Sequence, residues 1–339
     1  MSQDNKNSST KKQQLESHKK VTPRVLISRC LGFAPCRFDG SMFRENLIDQ
    51  LQGFVKFVPV CPEEELGLGT PRKTLRLYES REGHGLYQQD TGSDLTQEMK
   101  DFAYDYLSTV DNLQGAILKT RSPSCALKDA KIYAEKTSNI TSKRGAGLFS
   151  ECLLEQWPNL PVEDEGRLKN RIIRENFLTK IFSLARFAEI KSSELVKELI
   201  KFHADHKFLF MSYNESVKNE LGRLLANQDN YSTKELFSEY ETLLYKMFQG
   251  ENTPGRKVNV LMHIMGFFKD EASSDEKSFL LDTIEKYREN QLPLSVPINI
   301  FRSWAIKYEQ SYLLSQYFFA PFPEELISLE DSGKSSRPK

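Results

Sequence analysis

The chain has 339 residues, 39% of them hydrophobic, with 47 basic and 47 acidic side chains and zero net charge. That length suffices for two domains with real cores, and the charge balance excludes a nucleic-acid partner gripped by bulk electrostatics, so any basic surface has to be local. No apolar run approaches the roughly 18 residues that span a bilayer, the first twenty residues hold no apolar signal core, and five cysteines in a long chain without an export signal suggest reduced thiols in a cytoplasmic protein.

In chain order, residues 1–20 are polar and read as a disordered tail. Val25-Leu26-Ile27-Ser28-Arg29 is a short run ending at Cys30, the mark of a buried strand. A Gly- and Pro-containing loop covers 31–40, and Phe43, Leu47, Ile48 and Leu51 then predict a helix from Met42 to about Gly53. Phe57-Val58-Pro59-Val60 predicts a second strand, ending at Cys61. Leu75 to Tyr87 alternates around Gly83 and Gly85, the pattern of a hairpin. Asp94 is an N-cap candidate for a helix to about Val110. Ala116-Ile117-Leu118 predicts a third strand that leads through Arg121-Ser122-Pro123-Ser124 to Cys125. A helix or loop follows, and 145–160 reads as a last βα unit. Strands alternating with helices predict an α/β domain, a Rossmann-like parallel sheet, over 21–160.

The texture changes near Pro161. From Glu163 apolar residues recur at helical spacing: Leu168, Ile172, Phe177, Ile181, Leu184. Further helices are predicted over about 193–211, 216–227, 232–249, 257–268, 273–290 and 296–316. An all-α domain is expected over 161–325, followed by a flexible tail, 326–339.

Strands of a parallel sheet point one way, so Cys30, Cys61 and Cys125 gather at one edge, where open α/β sheets place ligands. Three thiolates around one point suggest a metal or an iron–sulfur cluster; three small core residues are the alternative. No paired CxxC supports a closed zinc site with four ligands. Three thiolates on a four-iron cluster leave one iron open as a Lewis acid. Cys36 stands near enough to Cys30 to be a spare ligand or redox partner; it and Cys152 read as structural.

Among Glu63, Glu64 and Glu65, one carboxylate could serve as general base for water, or all three could form a solvated acidic turn. Ser122 and Ser124 could hold substrate or water, or cap the next helix. Arg37 could contact an anion or pair with Asp39. His203 and His206 lie one helical turn apart beside Lys207, a spacing open to a metal pair or to packing. Lys169, Arg171, Arg174, Lys180, Arg186, Lys207, Lys218 and Arg223 could track phosphates, or form a solvated face balanced by Glu163, Asp164, Glu165 and Glu175.

Four separated blocks resemble the thiouracil desulfidase (TudS) family over about 23–155: VLISRCLGFAPCRFDG (25–40), VPVCPEEELGLGTPR (58–72), TGSDLT (91–96) and KTRSPSC (119–125). Residues 160–187, 201–223 and 296–325 are similar to the YbgA-type helical domain, and the combination resembles RudS-type tRNA thiouridine desulfidases. The resemblance implies a [4Fe-4S] cluster with three cysteine ligands and one open iron, the matching positions being Cys30, Cys61 and Cys125. It implies a catalytic Glu after the second cysteine, Glu63 or Glu65, and a Ser beside the third, Ser122 or Ser124. The sequence departs from the family pattern at Cys36.

The implied activity is hydrolytic conversion of 4-thiouridine in tRNA to uridine with release of sulfide and no net redox change. Thiolated tRNA is the implied partner, with Arg37, Asp39, Arg171, Arg174, His203, His206, Lys207 and Arg223 as weaker substrate- or RNA-binding candidates. Two alternatives stand beside it: desulfidation of free thiouracil-type bases, and a non-catalytic RNA-binding or iron–sulfur protein. Neither a membrane nor an obligate protein partner is expected.

Overall fold

A computed structural model describes residues 20–80, 83–250 and 252–327. Apart from Lys20, Leu326 and Ile327, the tails expected at 1–20 and 326–339 lie outside the described residues. Two compact units form: 21–185 with 323–327, and 186–322.

In chain order the first unit contains β1 (Arg24–Ser28), α1 (Asn46–Leu51), β2 (Lys56–Val60), α2 (Pro62–Glu65), β3 (Leu75–Ser80), β4 (Gly83–Gln88), β5 (Ser93–Asp94), α3 (Thr96–Thr109), β6 (Gly115–Leu118), β7 (Ala130–Tyr133), β8 (Thr141–Gly145), α4 (Leu148–Gln156) and β9 (Val162–Asp164). Val25, Leu26 and Ile27 are all fully buried, so β1 has to be covered on both faces. Its edges are taken up by parallel pairing, in the order β2-β1-β6-β9. The chain leaves β1 for β2 on one side and later enters β6 on the other. The carboxyl ends of β1 and β6 therefore flank a switch point, the crevice where such sheets bind ligands. This is the parallel sheet expected from the sequence.

A second sheet has the order β5-β4-β3-β7-β8. The expected hairpin is its antiparallel β3–β4 pair. Leu77, Leu86 and Ile132 turn inward and join Met99, Ala103 and Leu107 of α3 and Phe149 and Leu153 of α4 in one core. Strands β7 and β8 stand where a helix or loop was expected. Their sequences, AKIY and TSKRG, are too short and polar to raise an apolar-run signal, and pairing with each other and with β3 makes them strands.

The helix expected over 42–53 covers only Asn46–Leu51. The N-cap position expected at Asp94 falls on Leu95, without a side-chain cap; Asp94, one residue earlier and at the end of β5, accepts from Thr96 N at 3.1 Å. The helical spacing expected from Glu163 begins instead at Arg171, because Val162–Asp164 pairs with Ala116–Leu118 as an edge strand.

The division between units falls inside α5 (Arg171–Ser193). Its first half packs on the parallel sheet, so closely that a Cβ on Gly115 would meet Ile181 at 2.7 Å. The second unit is helical: α6 (Val196–Tyr213), α7 (Glu215–Ala226), α8 (Thr233–Gln249), α9 (Pro254–Met265), α10 (Ser274–Arg288), α11 (Ser295–Lys307) and α12 (Ser311–Leu314). Ser232 and Ser273 open α8 and α10 with capping boxes, and Asn214 and Thr253 cap α7 and α9. The last expected helix is broken at Glu309, whose φ is 55°. No described helix is long and apolar enough to cross a membrane.

Candidate active site

The carboxyl ends of the parallel strands carry the chemistry. β1 runs into Arg29 and Cys30, β2 into Cys61, and β6 into the loop 119–125 that ends at Cys125. A cavity of about 1230 Å³ opens at this edge, and Cys30, Cys61 and Cys125 line it together. Cys36 lines it too. Its Sγ lies within 4.8 Å of ligand atoms of Cys61 and Glu64, and within hydrogen-bond reach of Cys30. Cys152 is elsewhere, on the buried face of α4 in the core.

None of these cysteines is in a disulfide. The hydrogen bond with Cys30 raises the Cys36 thiol to about 12, its bond with Cys36 and burial raise Cys61, and burial raises Cys125 to about 12. Crowded thiols penalise one another's ionisation, and a metal that binds sulfur relieves the conflict by replacing the protons. Neighbouring soft donors lining one cavity fit an iron–sulfur cluster.

The two carboxylates and two hydroxyls left open by the sequence occupy different surroundings. Glu63 is buried, and its Oε1 accepts a hydrogen bond from the buried Ser124 Oγ at 2.9 Å. Glu65 is exposed and paired with Arg29. Ser122 Oγ accepts from the amides of Ser124 at 3.2 Å and Cys125 at 3.0 Å, so it shapes the loop before Cys125. Glu63 lines the cavity and is joined to the buried Ser124 behind it, Ser122 lines the cavity while shaping the loop, and Glu65 stands outside the lining.

Arg72 was not singled out from the sequence, although it closes the second motif block. Its Nε donates to Glu63 Oε2 at 2.7 Å and its Nη1 to the Cys36 carbonyl at 3.0 Å. It ties the carboxylate to the cysteine loop. Lys119 and Glu165 form a second missed pair. Glu165 also accepts from Thr120 N at 2.9 Å and Thr120 Oγ1 at 2.6 Å, which anchors the start of the Cys125 loop.

The weaker candidates do not converge. Arg37 lines the cavity, donates to Ser41 Oγ at 2.7 Å and stands 3.8 Å from Asp39, which is exposed. Arg171 pairs with Glu175 at 3.3 Å, and Arg174 is buried, donating to the Leu168 carbonyl at 3.1 Å. In the helical unit His203 Nδ1 meets Tyr240 OH at 3.1 Å, and burial lowers it to about 4. His206 is fully buried, its Nδ1 2.8 Å from the Phe202 carbonyl and its ring stacked on Tyr317. The histidine spacing is used for packing, and no histidine joins a group able to hold a metal among the described residues. Lys207 and Arg223 are exposed.

A family model described as 2-thiouracil desulfurase matches residues 25–165, and one described as a protein of unknown function (DUF1722) matches 207–323. The chain is 25% identical over 161 residues to the uncharacterized protein YbgA of Escherichia coli (strain K12), covering 47% of this chain and 95% of that one. It is 32% identical over 108 residues to the uncharacterized protein YbbK of Bacillus subtilis (strain 168), covering 30% and 72%. A solved structure described as the [4Fe-4S]-dependent thiouracil desulfidase TudS is 27% identical, covers 43% of this chain and 93% of its own, and superposes with a TM-score of 0.35.

Proposed function

Since the chain belongs to the 2-thiouracil desulfurase family and carries a DUF1722, YbgA-like domain behind that segment, we propose that it hydrolyses the thiocarbonyl of 4-thiouridine in tRNA, giving uridine and sulfide. The observation that carries the reading is that Glu63 lines the cavity with Cys30, Cys61 and Cys125 and is held from behind by the buried Ser124 hydroxyl.

Those three cysteines would hold the [4Fe-4S] cluster, with Cys36 beside them as the extra thiol. When bound, the cluster supplies a Lewis-acidic iron that makes a thiocarbonyl carbon more electrophilic. The protein's own part is proton handling and placement. Glu63 takes a proton from the attacking water. Ser124 orients the carboxylate through Oε1, and Arg72 fixes it through Oε2. The water oxygen becomes the new carbonyl oxygen, the C–S bond breaks, and sulfur leaves as sulfide, so no electron is gained or lost overall.

Two substitutions separate the candidates. Glu63→Gln lowers kcat by about 10²–10⁴ with the iron content kept, whereas Glu65→Gln leaves kcat near wild type. Equal losses in both would refute the assignment.

A second reading, turnover of free thiolated bases, has one observation in its favour. Every residue lining the cavity lies between Ser28 and Ile173, so the pocket is complete within the first unit. Comparing free 4-thiouracil with 4-thiouridine-containing tRNA by kcat/KM decides between them.

A further inference from the structure

Much of the basic set on which a helical RNA surface would rest is already engaged. Arg174 and Arg186 are buried, Arg171 pairs with Glu175, and Lys218 stands 3.8 Å from Glu215. A different group of cations lies on the first unit, beginning at the mouth of the cavity.

Arg121 and Lys128 line that mouth and are exposed. Arg121 has a φ of 61°, a left-handed conformation unusual for a residue with a side chain. Asp129 Oδ1 holds it there, accepting from the Arg121 amide at 2.8 Å. The next cations are Lys131 on β7 and Arg144 on β8, which are directly opposite in the antiparallel register. Both are exposed, and Arg144 Nη1 reaches the Asp129 carbonyl at 3.4 Å, which connects this pair to the cavity mouth.

Like charges directly opposite on a sheet are destabilising. Neighbouring cations on this sheet are neutralised, Lys136 by Asp94 and Lys143 by Glu79. Among the described residues the side chains of Arg121, Lys128, Lys131 and Arg144 form no ion pair with a carboxylate, and Asp129 beside them is bound through the Arg121 amide. An unrelieved cationic pair, continued by two more cations to a catalytic cavity, is complementary to a chain of phosphates. A single thiolated base is too small to reach from the cavity to the outer face of β7 and β8.

We propose that the Lys131–Arg144 pair and the Arg121–Lys128 rim form a phosphate-backbone track that docks tRNA on the α/β unit and leads its thiolated nucleotide into the cavity. The proposal rests on tRNA being the substrate. The track also reconciles a chain of zero net charge with a polyanionic partner, since the positive charge is concentrated locally.

The test is a Lys131→Glu/Arg144→Glu double variant of the full chain. Binding to bulk 4-thiouridine-containing tRNA is followed by fluorescence anisotropy over a salt series, and turnover of free 4-thiouracil is measured in parallel. Lys131→Ala/Arg144→Ala, with a thermal melt for each, separates docking from folding. Removing one cation that neutralises a phosphate flattens the slope of log K against log salt by about 0.9. The expected result is a slope flatter by about two and binding weaker by at least about tenfold at ~0.1 M salt, with 4-thiouracil turnover unchanged. Wild-type slope and affinity in both folded variants overturn the track. Failure of the unaltered chain to bind tRNA overturns the track and the tRNA substrate together. Loss of the desulfidase reading itself would show separately, as no turnover of either 4-thiouracil or 4-thiouridine-containing tRNA by cluster-loaded wild type.

Discussion

Glu63 has both oxygens engaged, one by Ser124 and one by Arg72, and its side chain is buried. The Arg72 side chain is itself buried and spans from Glu63 to the Cys36 carbonyl. A guanidinium can bridge two such acceptors because its donors are fixed in a plane, which a lysine cannot reproduce. Arg72→Ala therefore lowers kcat more than KM, and Arg72→Lys recovers part of the loss; a pure KM effect would contradict a positioning role. The sequence narrowed the base to a few neighbouring residues but could not select one. α2 spans only Pro62–Glu65, one turn, and one turn carries no periodicity from which to read an inward face. The long-range hydrogen bond from Ser124 is what favours Glu63 as the proposed base.

At the scale of elements, the Cys125 loop depends on a glycine at the start of α4. A Cβ on Gly147 would lie 2.4 Å from the Ser124 carbonyl carbon and 2.7 Å from the Cys125 amide nitrogen. Backbone cannot yield as a side-chain tip can, so Gly147→Ala costs on the order of 1–3 kcal/mol and displaces Cys125. Thermal melts and iron content after anaerobic reconstitution check this, and a variant with wild-type values in both would refute it. In the helical unit His203 is held neutral, mainly by burial and also by the charges of Lys218 and Lys207. Its value falls from the ordinary 6.5 to about 4, so between these pH values the unfolded chain binds the extra proton. The stability this preserves is complete above about 6.5 and is lost as pH falls toward 4, an amount of about 3 kcal/mol at most. His203→Gln should flatten the fall in Tm between pH 7 and 4.5; an unchanged slope would assign the acid sensitivity to other groups. The helices were legible because their apolar spacing and caps agree, as at Ser232 and Ser273. β7 and β8 were not, because their partners rather than their composition make them strands.

At the scale of the whole molecule, the sequence located the cysteines well because a parallel sheet puts every strand's carboxyl end on one edge. Three runs of three to five residues were enough to predict that Cys30, Cys61 and Cys125 share a cavity. The charge balance was less informative. A total of zero conceals buried arginines, paired lysines and a cationic track on one sheet, and only the fold sorts them. The most direct measurement of the central claim is the thiocarbonyl absorbance of 4-thiouridine-containing tRNA mixed with anaerobically reconstituted full-length protein. Loss of the band, matched mole for mole by uridine and sulfide and absent in Cys61→Ser, is the result expected. An undiminished band in the presence of a spectroscopically verified cluster would contradict it.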